Sequence, residues 1–312
     1  MGVVNIKRLE YVITNNCSGN CKHCSVKNNE VKDVAVQEDL LLDVIRDLVK
    51  RYNIDSVMTF GGEPLLRRDL VLKIHNAARE SNIARRQIIT NGYFSNDYNF
   101  IKETAEKIVL SGINEILLSI DCFHQEYIDI NKVELFVQEL KNKGFLNLQF
   151  HPAWVVDKNN INKFNEQTKN ILSYMEKYGY KVTSGNNIQL SGNAVKYLKD
   201  YYPDKKNNLT RKCGEIKYSQ SLDNIERITI DENGDVRICQ SFVIGNITED
   251  SIIKILETYD PNKDNLKQIL LHEGIQGLMN QLNLTDASIQ NKLYHECDIC
   301  KFLISEINNS QG

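Results

Sequence analysis

The strongest constraint on the fold of this 312-residue chain is the alternation of strand-like and helix-like segments in its first two-thirds. Short apolar runs rich in β-branched or aromatic residues predict six strands, at Leu9–Thr14, Ser56–Phe60, Arg86–Thr90, Glu115–Asp121, Leu146–Val156 and Val182–Leu190. Apolar residues at helical spacing predict five helices between them, at Val36–Tyr52, Leu70–Ser81, Asn99–Ser111, Lys132–Lys143 and Ile161–Tyr178. Such alternation favours parallel strands joined by right-handed crossovers. We therefore expect an α/β fold, either a partial (β/α)6 TIM-like barrel or an open doubly wound sheet.

The pattern changes after about Asn193, and a second region is expected there. A polar segment at Tyr201–Leu209 is typical of a linker, and Asn233-Gly234 lies between two short apolar runs, which predicts a β-hairpin. Helical patterns follow at Ser251–Thr258 and Leu266–Leu282. The sequence thus predicts a barrel domain over residues 1–204 and a small α+β domain over residues 205–312.

Charge and hydropathy exclude several classes of function. The formal net charge of −3 provides no global field to attract nucleic acid. No apolar run approaches the roughly 20 residues of a membrane helix, and Met1–Leu9 lacks the apolar core of a signal peptide. We therefore expect a cytoplasmic protein without a nucleic-acid or membrane partner.

The eight cysteines are grouped, which indicates metal binding in a reducing compartment. Three of them, Cys17, Cys21 and Cys24, directly follow the first predicted strand. In both candidate folds the chemistry lies at this end of the strands. Three thiolates at this spacing can each bind one iron of a cubane and leave the fourth iron open. The alternative is a zinc loop, which requires a fourth ligand such as His23 or Cys213.

Polar motifs follow the next predicted strands in turn. Gly61-Gly62-Glu63-Pro64 allows backbone to approach a ligand closely and adds a carboxylate acceptor. Thr90-Asn91-Gly92 follows the third strand, and Ser119 and Asp121 end the fourth strand with their side chains on one face. Ordinary turns and a polar strand end are the alternative interpretation of each motif taken alone.

The order Cys-x3-Cys-x2-Cys, Gly-Gly-Glu-Pro and Thr-Asn-Gly over about residues 8–195 resembles the radical S-adenosylmethionine (SAM) superfamily. The resemblance implies a 4Fe–4S cluster on the three cysteines whose open iron is chelated by SAM. One electron then cleaves SAM to a 5′-deoxyadenosyl radical that abstracts a hydrogen atom. An external reductant such as flavodoxin or ferredoxin is implied as a partner.

The same resemblance implies which residues bind SAM. His23 occupies the position of an aromatic residue that packs near the adenine, and Gly61, Gly62 and Glu63 match the segment that contacts the methionine amino group. Asn91, Ser119 and Asp121 are implied as further contacts, the last two to the ribose. The segment Leu190–Ala194 is similar to the sixth-strand segment of the peptide-modifying branch.

Four further cysteines lie in the last hundred residues, at Cys213, Cys239, Cys297 and Cys300. Their spacing alone is compatible with a structural zinc or with a fully ligated 4Fe–4S cluster. Cys213-Gly214 followed by a hairpin and a late Cys-x2-Cys pair resembles SPASM and shortened twitch domains. That resemblance implies a second, auxiliary 4Fe–4S cluster in a C-terminal iron–sulfur domain.

The substrate is the least constrained prediction. The segment Ile269–Gly274 resembles the epimerases of ribosomal peptides (the epipeptide type), although Gln240 stands where that family places its hydrogen-donor cysteine. We therefore expect modification of a ribosomally made peptide or protein by epimerisation, crosslinking or a related reaction. The alternatives are a twitch-type dehydrogenase or rearrangement enzyme acting on a small molecule, and a metal-binding scaffold without activity.

The isolated Cys122 is a candidate catalytic residue. It follows Asp121 at the mouth of the predicted barrel, where a thiol can donate a hydrogen atom. His124, two residues later, is expected to face the same mouth or the solvent. The alternative is that Cys122 is a small buried apolar residue.

Overall fold

The computed structural model describes residues 3–25, 36–202, 208–285 and 293–311. The strands are β1 (Val3–Val12), β2 (Ser56–Phe60), β3 (Arg85–Thr90), β4 (Glu115–Ser119), β5 (Leu148–His151), β6 (Ala153–Trp154), β7 (Lys181–Val182), β8 (Asn186–Asn187), β9 (Asn224–Ile230), β10 (Asp235–Arg237) and β11 (Val243–Asn246). The helices are α1 (Glu38–Leu48), α2 (Arg68–Glu80), α3 (Tyr98–Ser111), α4 (Cys122–Gln125), α5 (Ile130–Asn142), α6 (Lys163–Met175), α7 (Asn193–Leu198), α8 (Ile252–Thr258), α9 (Asn265–His272), α10 (Ile275–Gln281) and α11 (Glu296–Gln311). Short 3-10 helices occur at Pro64–Arg67, Glu176–Tyr178, Lys199–Tyr201 and Pro261–Lys263.

A single nine-stranded sheet organises the molecule, in the order β11-β10-β9-β1-β2-β3-β4-β5-β7. The six strands β1, β2, β3, β4, β5 and β7 are parallel and stand in chain order. A doubly wound sheet reverses its strand order at a switch point, and no reversal occurs along these six strands. The predicted α/β fold with a mostly parallel sheet is confirmed, and its strand order is that of a barrel wall.

The fifth and sixth predicted strands are shorter than expected. The segment predicted as Leu146–Val156 forms β5 and β6, because Pro152 between them has no N–H to donate to a ladder. The segment predicted as Val182–Leu190 forms β7 and β8, separated by Gly185 at φ +71°. A Cβ on Gly185 would lie 2.3 Å from the carbonyl oxygen of Pro152, so this turn packs directly against the break in the preceding strand.

The predicted helix over Leu266–Leu282 is two helices, α9 and α10. Gly274 interrupts it at φ +67°, and a Cβ there would lie 2.8 Å from the carbonyl oxygen of Arg211. Glycine adopts a positive φ without strain and has no Cβ to clash with the Arg211 carbonyl oxygen. The chain can therefore turn at this residue and end the first helix. The helical periodicity continues across the break, which explains why the sequence pattern predicted one helix.

The predicted hairpin forms β9 and β10 and joins the main sheet. Strand β9 pairs in parallel with β1, with Leu9 opposite Ile228, and β10 pairs antiparallel with β9. The sheet therefore continues past the boundary predicted after residue 204, although residues 203–207 of the predicted linker lie outside the described residues. One hydrophobic core includes buried side chains from both regions, such as Ile45 and Leu278.

The helices pack their apolar stripes on this sheet. Helix α1 buries Leu41, Val44, Ile45 and Leu48. Helix α3 has Asp97 as its N-cap, whose carboxylate accepts a hydrogen bond from Asn99 N, and Gly112 as its C-cap in the left-handed conformation. Within the described ranges, no helix combines the length and apolar character needed to cross a membrane.

Candidate functional site

Three cysteines lie together on the loop that follows β1. Cys17 is exposed, Cys21 is buried and Cys24 is partly buried. The Cys24 N–H donates to the Cys21 carbonyl at 3.1 Å, which closes a tight turn. Burial raises the pKa of the Cys21 thiol well above its usual range, and the charges of Asp121, Cys17 and Cys24 raise it further. The three thiols are thus close enough to interact electrostatically, as the predicted ligand set requires.

The glycines after β2 lie directly against this loop. Gly62 N donates to the Thr14 carbonyl at 2.7 Å, and Glu63 N donates to the Asn16 carbonyl at 2.8 Å. A Cβ on Gly61 would lie 2.4 Å from Thr14 O, and one on Gly62 would lie 2.1 Å from Asn16 O. The two glycines are therefore required by backbone-to-backbone packing beside the first cysteine.

Two distant side chains also fix the cysteine loop. The Glu232 carboxylate accepts hydrogen bonds from Asn15 N at 2.8 Å and Asn15 Nδ2 at 2.5 Å. Asn193 donates from its backbone N to the Cys24 carbonyl at 3.0 Å and from Nδ2 to the Cys21 carbonyl at 3.2 Å. Sequence reasoning missed Glu232, which lies in the hairpin turn more than 200 residues along the chain.

Glu63 connects the second and third motifs. Its carboxylate accepts hydrogen bonds from Thr90 Oγ1 at 2.7 Å, Leu65 N at 3.0 Å and Asn91 N at 2.7 Å. Burial raises its pKa to about 7, although the three donors favour the charged form. Asn91 Nδ2 in turn lies 3.6 Å from Cys17 Sγ. The three donors use three of about four acceptor positions on the carboxylate, so one position on Oε2 remains for the predicted ammonium group.

Asp121 lies just beyond β4, as the N-cap of α4. Its Oδ1 accepts hydrogen bonds from Phe123 N at 3.0 Å and His124 N at 3.1 Å, and its Oδ2 accepts one from Ala153 N at 3.1 Å. Oδ1 also lies 2.9 Å from His124 Nδ1. Burial opposes ionisation of this carboxyl group, but His124 holds its pKa well below the usual range. Ser119, the last residue of β4, is half-buried beside this buried carboxylate.

The role of Asp121 as the N-cap of α4 could have been predicted from the sequence, because aspartate before a helical turn is a common N-cap signal. The prediction instead grouped Asp121 with Ser119 on one face of an extended strand. The structure ends β4 at Ser119 and directs both oxygens of Asp121 to protein donors. Oδ2 has one protein donor, Ala153 N, and so keeps one acceptor position for a ribose hydroxyl.

His23 lies between the cysteine loop and α4. Its ring centroid is 5.1 Å from that of Phe123 and 4.9 Å from that of His124. His23 Nδ1 is buried and has no hydrogen-bond partner among the described residues. Burial lowers the pKa of His23 to about 4, so the ring is neutral at physiological pH.

Cys122 is the first residue of α4 and faces α6. Its backbone N donates to Thr168 Oγ1 at 3.2 Å. The residue lines a cavity of about 600 Å³ between α4 and α6 that Lys22 and Phe164 also line. Burial raises the pKa of the thiol to about 12, so it is protonated at neutral pH and able to donate a hydrogen atom.

The four C-terminal cysteines come from three separate segments and meet at one place. Burial raises the pKa of Cys213 to about 11 and that of Cys297 to about 12, and a neighbouring cysteine charge adds to each shift. Cys213 and Cys239 also raise the pKa of Cys300. Ser241 N lies 3.4 Å from Cys239 Sγ, as a hydrogen-bond donor. All four pack against the main hydrophobic core.

A buried cation lies beside this group. Lys267 is 8% exposed, pairs with Asp264, and has its Nζ 4.6 Å from the centroid of the Phe242 ring. Its charge favours the thiolate of Cys239. Sequence reasoning missed Lys267, whose position next to the cysteines depends on the packing of α9 against the loop after β10.

These observations test whether the residues fit an iron–sulfur cluster. The loop has three thiols, and hydrogen bonds on both sides hold its backbone. It has no fourth thiol, which suits a cubane with one open iron. Gly19 allows the loop to close, since a Cβ there would lie 3.2 Å from Cys21 Sγ. The residues present therefore fit the group that the sequence predicted.

Comparison with known proteins agrees with this site. A family model described as the Radical SAM superfamily matches residues 11–188. A protein of Saccharolobus islandicus named probable GTP 3',8-cyclase is 27% identical over 175 residues, which cover 53% of this chain and 54% of that protein. The protein of the same name from Metallosphaera sedula is 23% identical over 181 residues, 56% of this chain and 53% of that protein. The chain thus spans about half the length of the curated relatives it matches.

Solved structures share the fold. Streptococcus suis SuiB bound to precursor peptide SuiA superposes with a TM-score of 0.59 at 16% identity, over 86% of this chain and 67% of that chain. Native anSMEcpe with bound AdoMet and Cp18Cys peptide gives a TM-score of 0.51 at 15% identity, over 98% and 99% of the two chains. At such identities the similarity concerns the fold alone.

Proposed function

The chain belongs to the radical SAM superfamily of enzymes, and we propose that it holds its SAM-binding 4Fe–4S cluster on Cys17, Cys21 and Cys24. The observation that carries this assignment is the set of three thiols on one loop at the carboxyl end of β1. With cluster and SAM bound, the chemistry supplied is reductive cleavage of SAM to a 5′-deoxyadenosyl radical that abstracts a hydrogen atom.

The chain's own residues position this chemistry. Gly61 and Gly62 let the second strand's loop lie against the cysteine loop, and Glu63 ties it to Asn91. We assign SAM contacts to these residues and to His23, Ser119 and Asp121, which lie at the same edge of the sheet. Glu63 and Asp121 also hold the loops in place, since their carboxylates accept hydrogen bonds from Thr90 and Ala153. Such preorganisation places one C–H bond against the reacting carbon.

For the C-terminal region, residues 205–312, we propose an auxiliary 4Fe–4S cluster on Cys213, Cys239, Cys297 and Cys300. No described group of three or more ligand atoms within 4.8 Å of one another includes any of these four. A zinc ion with bonds of about 2.3 Å holds its thiolates about 3.8 Å apart. The wider arrangement of these buried sulfurs favours the larger cubane, whose binding would also stabilise this region.

For the substrate we propose a ribosomally made peptide or protein, in keeping with the SPASM-like or twitch-like arrangement of the last four cysteines. The same fold accommodates a precursor peptide in SuiB. A small molecule is the second candidate, favoured by the similarity of residues in the barrel to proteins named GTP 3',8-cyclases. An external one-electron donor such as flavodoxin or ferredoxin serves either reaction.

The cluster assignments are tested by counting iron, sulfide and zinc after anaerobic reconstitution of the wild type and of a Cys17/Cys21/Cys24→Ala triple variant. We expect about eight irons per wild-type chain and about four in the variant, as for two cubanes with cysteine ligands. SAM cleavage to 5′-deoxyadenosine should disappear only in the variant. No iron in the wild type would refute the central assignment, and four irons with one retained zinc would refute the auxiliary cluster.

Epimerisation is separated from crosslinking and dehydrogenation by running the reaction in D2O. Epimerisation of a peptide returns one solvent-derived hydrogen and adds one mass unit per modified residue, whereas dehydrogenation or crosslinking removes two hydrogens. As a hypothesis, Cys122 supplies the returned hydrogen. Cys122→Ala should then stop formation of the epimer while SAM cleavage continues. Unchanged product yield in this variant would remove Cys122 from the mechanism.

A further inference from the structure

We propose that Cys21, His23 and His124 form a mononuclear zinc site in the chain that has not yet received its first cluster. One ligand atom from each residue lies within 4.8 Å of the other two. Cys21 and His23 come from the loop after β1, and His124 comes from α4, so the site joins two separate segments. Neither Cys17 nor Cys24 belongs to this group, which distinguishes it from a zinc loop of three thiolates.

His124 is oriented as metal-binding histidines usually are. Its Nδ1 lies 2.9 Å from the buried Asp121 carboxylate, so Nε2 is the ring nitrogen available to a metal ion. Asp121 is itself held by Phe123 N and Ala153 N. A carboxylate behind the imidazole fixes its tautomer and raises the basicity of the ligand nitrogen.

His23 provides the independent observation that points to a ligand. Its Nδ1 is buried without a hydrogen-bond partner in the described part of the chain. A buried nitrogen without a partner is energetically unfavourable, and such atoms call for an explanation. A metal–nitrogen bond satisfies this atom, and the ring contacts to Phe123 and His124 hold the imidazole in place.

One thiolate and two imidazoles are a ligand set typical of zinc. With Zn–S bonds of about 2.3 Å and Zn–N bonds of about 2.0 Å, ligand atoms around a tetrahedral ion lie about 3.5 Å apart. The present separations, which are within 4.8 Å, shorten to that value when the ion binds. The buried Cys21 thiol loses its proton on binding, and water occupies the fourth position.

The zinc site and the proposed cluster exclude each other, because both require the Cys21 thiolate. Zinc bound at this site before cluster assembly therefore blocks the first cluster. The zinc site itself does not depend on the proposed function; only this competition does.

The test titrates the metal-free full chain with Zn2+ against a chromophoric chelator, under anaerobic conditions. The C-terminal cysteines add their own zinc, so the comparison is between variants. Cys21→Ser and His124→Ala should each bind one zinc fewer than the wild type. Cys24→Ser and His151→Ala should bind as many as the wild type; His151 is the matched control, since it lies partly buried next to Ser119 in the register of β4 and β5.

Asp121→Asn provides a variant that keeps the cap of α4, because asparagine is an equally good N-cap. It should weaken the zinc site by about 10–100-fold without changing its stoichiometry. Co2+ in place of zinc should give thiolate-to-metal charge-transfer absorption in the wild type that Cys21→Ser and His124→Ala lose. Circular dichroism of each variant checks that it is folded.

Two results would overturn the proposal: equal zinc stoichiometry in the wild type and His124→Ala, or loss of the same zinc in Cys24→Ser. After preloading with zinc, iron uptake should be about four irons lower in the wild type than in His124→Ala. If the proposed function is wrong, even the zinc-free wild type takes up no iron, which is a different result from these two.

Discussion

Replacing Gly62 with alanine places a methyl group between two loops that the candidate site requires to touch. The new Cβ would lie 2.1 Å from the carbonyl oxygen of Asn16 and 2.8 Å from that of Asn15. Gly62 does not adopt a positive φ, so the effect is steric and not conformational. Both obstacles are backbone atoms, which cannot rotate away as a flexible side chain would.

The size of the effect follows from that distance. Ordinary carbon–oxygen contacts begin near 3.2 Å, so the cysteine loop must withdraw by about 1 Å next to Cys17. Overpacking of this kind destabilises a protein by about 1–3 kcal/mol, which corresponds to a decrease in Tm of roughly 1.5–5 °C for a chain of this size. A displacement of about 1 Å also reduces catalysis by about 100-fold. We therefore expect Gly62→Ala to lose most of the iron bound at the first site.

The assay compares thermal unfolding and iron content with those of Gly179→Ala. Gly179 has φ +77°, and a Cβ added there would have no heavy atom within 4 Å, so alanine meets only backbone strain of about 1–2 kcal/mol. This control should lower Tm slightly and keep all of its iron. If Gly62→Ala retains wild-type iron and SAM cleavage, close packing of the two loops does not support the cluster and the reasoning is wrong.

Three further predictions concern charged groups. Burial raises the Glu63 pKa from its ordinary value near 4.5 to about 7, so the apo protein should lose up to roughly 3 kcal/mol of stability as pH rises from 4.5 to 7. Urea unfolding should show this decrease of the unfolding free energy with pH in the wild type and not in Glu63→Gln. An equal decrease in both proteins would contradict the prediction. Glu232→Gln weakens the charge-assisted hydrogen bonds to Asn15 by about 1 kcal/mol, so chelators should remove iron from the first site faster. An unchanged rate of iron release would show that the contact between Glu232 and Asn15 is not needed to hold the cluster. If Lys267 stabilises the reduced auxiliary cluster, Lys267→Met should lower the reduction potential of that cluster. Asp264→Asn, which keeps the helix cap, should raise it. Potentiometric titration followed by EPR measures both potentials, and shifts of the same sign would refute the electrostatic explanation.

Local sequence determined the features that depend only on neighbouring residues. Short apolar runs and the helical spacing of apolar residues predicted most strands and helices to within a few positions, because these patterns arise within a single element. Cys17, Cys21 and Cys24 were recognisable because their spacing within one loop is itself the chemical requirement. The breaks at Pro152 and Gly274 were missed, since the apolar pattern continues across both.

Tertiary structure alone decided which distant groups meet. Glu232 bonds to Asn15, and β9 pairs with β1, because the hairpin returns to the edge of the sheet after about 200 residues. The contact of His23 with His124 likewise depends on how α4 packs against the cysteine loop. Hydrogen-bond partners, burial and the pKa shifts that follow from burial depend on which surfaces pack together. The sequence pattern therefore does not predict them.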